Sequence, residues 1–167
     1  MKFSADISYT APPEKVYAML IDPAFQEKVC LATGALDHSV DVEPAHTSGD
    51  GGATITTTRK LPAQGLPDFV RTFVGETLDV MRVDHWGPPE ADGSRRGTIV
   101  VEIQGTPVRL SGTVEMAPSG SGTLEHVLGD LKAAVPLLGG KIERAAEPAV
   151  RGAVAKEQEI GDEWLGS

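Results

Sequence analysis

Only one cysteine, Cys30, stands among 167 residues. A lone thiol excludes an intramolecular disulfide framework and suits a reducing compartment, so a cytoplasmic protein is expected. No run nears the ~20 consecutive apolar residues of a membrane-spanning helix, and stable membrane insertion is not expected. Met1-Lys2-Phe3-Ser4-Ala5-Asp6 offers one cation with no apolar stretch behind it, so no secretory signal is expected. Basic clusters are missing as well. The densest are Arg59-Lys60 and Arg95-Arg96, in a chain of net charge −9. Nucleic-acid binding rests on neutralised phosphates, and this balance argues against it. Four histidines, His38, His46, His85 and His126, form neither an i,i+4 pair nor an HExxH motif. Zinc needs three or four converging ligands, so no metal and no other cofactor is expected. Gly139-Gly140 lacks the spacing of a phosphate-binding loop and reads as a loosened helix entry.

What is present is periodicity. Residues 2–9 alternate, with Phe3, Ala5, Ile7 and Tyr9 on one face, as a half-buried strand does. Thr10 to Glu14 reads as a helix start, Thr10 capping and the prolines sitting in the first turn. Asp22-Pro23 repeats that logic for a second short helix ending near Leu31. Further strands are expected at 34–42, 53–61, 77–86, 96–103, 108–116 and 123–135. Residues 62–76 read as an irregular lobe or short helix, and Gly49 to Gly52 as a turn. In 77–86, Leu78 and Val80 share one parity while Met81 and Val83 share the other, so a bulge near Val80-Met81 is expected. From Leu137 to Trp164 an apolar stripe runs Leu138, Ile142, Ala145, Ala149, Ala153, Ile160 and Trp164, the mark of one long amphipathic helix. Pro148 lies inside it and predicts a bend or a gap in the hydrogen-bond ladder. Length and the absence of repeats predict one domain over residues 1–167.

Strand, Ala11-Pro12-Pro13-Glu14, Asp22-Pro23-Ala24-Phe25, strands, and Val135-Pro136-Leu137-Leu138-Gly139-Gly140-Lys141-Ile142-Glu143 form a pattern that resembles the START-like superfamily. This superfamily is also called SRPBCC, helix-grip or birch-pollen-allergen-like. The likeness runs the whole length, to an actinobacterial branch of unknown function. It implies an α+β helix-grip fold: about seven antiparallel strands curved around a long C-terminal helix, with two short helices after the first strand. It further implies a cavity between sheet and helix. It names no ligand, because the superfamily has no universal active site.

The leading expectation is non-catalytic binding or carriage of a small hydrophobic molecule, lipid- or polyketide-like. An enzyme of polyketide cyclase or dehydratase type is the alternative. A co-chaperone-like interaction module is a third reading, and a homodimer is allowed. The expected lining is Ile55, Val80, Val101 and Leu110 from the strands, with Phe25 from the second short helix and Phe69 and Phe73 from the lobe at 62–76. From the long helix it is Leu138, Ile142, Ala145 and Ala149. Small residues mid-helix with larger ones at its ends would leave volume unfilled, although Phe25, Phe69, Phe73 and Trp86 could equally fill it. No catalytic residue is assigned. Glu125 shares the parity of Val127 and Leu131 and is expected to point inward near the mouth. Arg82, Asp84 and Arg109 read either as inward polar groups that orient an enolate or as a solvated convex face. His85 depends on the bulge. Cys30, beside Lys28 and Val29 with no placed histidine, reads as a structural thiol.

Overall fold

The computed structural model describes residues 1–45 and 51–166. His46 and the Gly49-Asp50 half of the expected turn lie outside them. Along the chain run β1 (Lys2–Tyr9), α1 (Pro13–Leu20), α2 (Pro23–Ala32), β2 (Asp37–Pro44), β3 (Ala53–Pro62) and α3 (Asp68–Val74). There follow β4 (Thr77–Trp86), β5 (Arg95–Ile103), β6 (Val108–Ser119), β7 (Gly122–Ala133) and α4 (Gly139–Gly166). All seven strands join one antiparallel sheet in the order β1-β7-β6-β5-β4-β3-β2, so β1 and β2 are its edges. This is the expected helix-grip architecture.

Local chemistry explains most boundaries. The Asp22 carboxylate accepts the Ala24 N–H at 2.9 Å and Pro23 opens α2, where its missing donor costs nothing. At α1 the expectation shifts: Pro12 occupies the cap position without a side-chain bond, and Thr10 lies outside the helix. The β6–β7 hairpin turns through Gly120-Ser121, and Gly120 has φ 59°, the left-handed geometry that two-residue hairpins need.

β4 corrects one expectation. It pairs with β3 without interruption from Thr77↔Pro62 to Trp86↔Ala53, and with β5 from Val80↔Ile103 to Trp86↔Gly97. There is no bulge at Val80-Met81. Even-numbered residues of β4 face the concave side and odd ones the convex. Met81 and Val83 are apolar residues on an outer face that is only partly solvated, and they blur the alternation.

α4 is one helix through the exposed Pro148, which has no N–H to give the Arg144 carbonyl, so the expected gap in the ladder is there without dividing the helix. A second expectation is corrected, because the inward stripe passes elsewhere. Ile142, Ala146, Val150, Val154, Glu157 and Gly161 lead it, while Ala149 is exposed and Ala145 only half-buried. A residue every fourth position from Ile142 gives the larger Val150 and Val154 to the core in place of the alanines. Small-to-aromatic changes at Ala149 therefore do not probe the interior.

α4 packs along β1 and β7 and against α1 and α2. It comes very close to the core at Gly161, where a Cβ would stand 2.4 Å from Tyr9 Cε1 and 3.3 Å from Met19 Cε. From the same helix, Arg151 Nη1 donates to the Ser4 carbonyl at 3.1 Å on the β1 edge.

Candidate functional site

The concave face is built by one parity from each strand: Phe3, Ile7 and Tyr9 on β1, Glu125, Val127 and Leu131 on β7, and Leu110, Val114 and Met116 on β6. From β5 come Ile99 and Val101, and from β4 Val80, Arg82, Asp84 and Trp86. Ile55, Thr57 and Arg59 complete it on β3. Most of this wall is apolar. Its ionisable members are the exception.

Arg82 is their hub. Its Nε lies 3.0 Å from both carboxylate oxygens of Asp84, and Nη2 lies 2.8 Å from Oδ2. Nη1 reaches Glu157 Oε2 on α4 at 2.6 Å, and Nη2 meets Oε1 at 3.5 Å. Asp84 and Glu157 are each 4% exposed, so this is a buried acid–base–acid triad joining sheet to helix. Desolvation opposes the Arg82 charge, but the two carboxylates outweigh it and hold its pKa well above normal. Burial pushes the Asp84 carboxyl upward against the pull of Arg82.

Glu125 is 1% exposed, and its Oε2 has no hydrogen-bond partner. Burial first, then the Glu157 charge, raises its pKa to about 8. It is thus a mostly neutral acid at pH 7, with a proton to donate. Tyr9, 3% exposed, also has an unpartnered oxygen, and burial followed by Glu157 and Glu125 pushes its phenol up. Arg59 donates from Nη1 to Thr33 Oγ1 at 3.2 Å and leaves Nε unpartnered; burial first, then the Arg82 charge, lowers its pKa. Among the described residues no three His, Cys, Asp or Glu side chains group as they would around a metal ion.

The expected lining divides. Phe25, Ile55, Val80, Leu110 and Ile142 are buried, and Val101 is partly exposed on the concave face. Phe25 packs edge-on against Trp164 with centroids 5.7 Å apart. Phe69 and Phe73 on α3 and Leu138 before α4 are exposed, so they stand at the periphery with the helix-borne Ala145 and Ala149. Lys141 Nζ, 5.8 Å from the Phe69 centroid, links α3 to the start of α4. Arg82 and Asp84 resolve to the inward reading. Arg109 resolves outward, paired with Glu102. His85 is exposed and bonds Thr54 Oγ1 at 2.8 Å. Cys30 is buried, and burial raises its thiol pKa, as befits a structural residue.

Sequence reading missed Tyr9, Arg59 and Glu157 as site members. Tyr9 was counted with the apolar face of its strand. Glu157 lies four residues before Gly161 and fifteen after Ile142, on a stripe that could be traced once its phase was right. Three open clefts of about 370, 500 and 310 Å³ are lined respectively by Lys28, Ile160, Glu163 and Trp164, by residues around α3, and by residues around Arg59 and Val80. None of the three is lined by Tyr9, Arg82 or Glu125.

A family model described as Protein of unknown function (DUF2505) matches residues 4–165. Uncharacterized protein Rv0481c of Mycobacterium tuberculosis is 28% identical, over 98% of this chain and 95% of its own. Two solved structures share the fold. The Zhui aromatase/cyclase from a Streptomyces species aligns with a TM-score of 0.61 at 10% identity, covering 99% of this chain and 95% of the other. A START superfamily protein from Mycobacterium smegmatis aligns at 0.55 and 15%, covering 98% of each.

Proposed function

The chain belongs to the family described as Protein of unknown function (DUF2505), and from that premise we propose that it binds a small, mainly hydrophobic molecule between sheet and α4. One observation carries this reading. α4 lies over β1 and β7, whereas β4 meets it through the reach of Arg82 toward Glu157, and the apolar Leu78, Val101 and Ile103 on this concave wall stay partly exposed. An apolar wall left unfinished by the protein's own core is what an apolar guest completes. START-like neighbours, one of them titled an aromatase/cyclase, lend support by analogy of fold.

The test is native mass spectrometry of the full chain purified from its own host, beside titration with the uncharged apolar dye Nile red. A co-purifying mass, or saturable dye uptake that extracted native ligand competes away, is expected. A bare chain that takes up no dye would remove the reading.

The Arg82 triad favours a second reading, an enzyme of the cyclase or dehydratase type acting on a polyketide-like substrate. Ionisable groups meeting at hydrogen-bond distance in a mostly apolar interior are what acid–base chemistry needs. Incubation with a β-hydroxyacyl thioester, followed by mass spectrometry for loss of one water, separates it from simple carriage. Turnover by the parent that Glu125→Gln abolishes would favour the enzyme.

A further inference from the structure

Tyr9 and Glu125 sit side by side on the concave face. In the β1–β7 register Ile7 opposes Glu125 and Tyr9 opposes Thr123, so the two are diagonal neighbours across adjacent strands. Such neighbours stand ~7–8 Å apart, close enough for long side chains to converge on one atom between them. Each is almost wholly buried, and each holds an oxygen with no partner: Tyr9 Oη and Glu125 Oε2. Leaving one such group unsatisfied is costly in a folded protein, and two adjacent ones call for a common explanation.

We propose that Tyr9 and Glu125 form a two-donor subsite that receives the carbonyl oxygen of a ketone or aldehyde carried by an apolar ligand. This rests on the reading of the interior as a ligand site and adds the chemistry of one end of that ligand.

Both groups present protons. Burial and the Glu157 charge raise the Tyr9 phenol, and burial first and that charge next raise Glu125 to about 8, so both remain protonated near neutrality. Two O–H donors ask for an acceptor with two lone pairs and no proton of its own. A carbonyl oxygen fits. An anionic head group would face Asp84 and Glu157, and a cation would face Arg82 and the donating phenol. The donors are held in place. α4 crosses the Tyr9 ring at Gly161, where even a Cβ would clash at 2.4 Å, and Met19 Cε stands at the same crossing, 3.3 Å from that position. Ile7 and Met116 stand opposite Glu125 on the two neighbouring strands, an apolar surround that keeps water from competing.

The test uses three probes of one shape on the full chain at neutral pH: 2-acetylnaphthalene, 2-ethylnaphthalene and 2-(aminomethyl)naphthalene. After correction for water–octanol partition, the ketone should bind at least about five- to tenfold more tightly than the hydrocarbon, as one or two net hydrogen bonds would give. The infrared carbonyl stretch of the bound ketone should move to lower frequency, a readout that needs no variant. Tyr9→Phe and Glu125→Leu should each erase most of the ketone's advantage and leave hydrocarbon affinity unchanged. Equal binding of ketone and hydrocarbon, an unmoved stretch, or tightest binding by the ammonium probe would overturn the subsite and leave the apolar site standing. Failure of all three to bind would overturn both.

Discussion

At the scale of single residues, the interior is defined by acids that the fold keeps from water. Glu125 gives the clearest pH signature. Its folded pKa, about 8, lies above its ordinary value of 4.5. The folded state therefore holds a proton that the unfolded chain has released. Stability is fully present below about pH 4.5, falls as pH rises, and levels off above about pH 8. Asp84, raised in the same direction, adds to the fall, while Arg82, Glu157 and Tyr9 are the other titratable groups facing Glu125. Urea midpoints measured from about pH 5 to 9 should decline for the parent, and Glu125→Gln should flatten that decline. An unchanged slope would show that another group titrates. Arg82 gives the second prediction. Arg82→Met leaves Asp84 and Glu157 buried and unpaired, and should cost roughly 3–5 kcal/mol. Combining it with Glu157→Leu and Asp84→Asn should recover most of that loss in the same urea experiment, because what hurts is the orphaned charge and not the missing bridge.

At the scale of elements, two glycines of α4 make opposite cases. Gly161 touches Tyr9 and Met19 so closely that Gly161→Ala overpacks the crossing and should cost about 1–3 kcal/mol. Gly152 has nothing within 4 Å of where its Cβ would be, so Gly152→Ala should stabilise by about 0.5–1 kcal/mol through helix propensity alone. Thermal melts of the two variants should move in opposite directions. Elements were the most legible feature in the sequence. Alternation in β1 and β6, the Asp22-Pro23 start of α2 and the 3.6-residue rhythm of α4 are each carried by neighbouring residues. What escaped was phase. An error of one position along α4 exchanges Ala145 and Ala149 for Ala146 and Val150, since alanines flank the true stripe and blunt the contrast. β4 failed for a like reason, because Met81 and Val83 are apolar on the outer face.

At the scale of the whole molecule, the START-like layout was legible because it follows from the order of elements. The triad was not, because Arg82–Glu157 spans 75 positions and only the curvature of the sheet brings its ends together. Glu125 could be placed inward from parity; that it lacked a partner could not. The sheet itself is open, and its two margins are treated differently. Along β1, Arg151 reaches down from α4 to occupy the Ser4 carbonyl. Along β2, Asp37, Asp41, Glu43 and Pro44 line a strand that few other strands would join. An open margin is a template on which a second chain can grow, and repulsion with a missing donor is how such growth is discouraged. Asp41→Val with Glu43→Val should therefore leave the fold intact yet make the chain self-associate in a concentration-dependent way, visible by light scattering. Arg151→Ala should do the same from the opposite side. If so, the acidity of this chain is spent partly on keeping copies of it apart, which would leave the proposed apolar site open to a guest and not to its own kind.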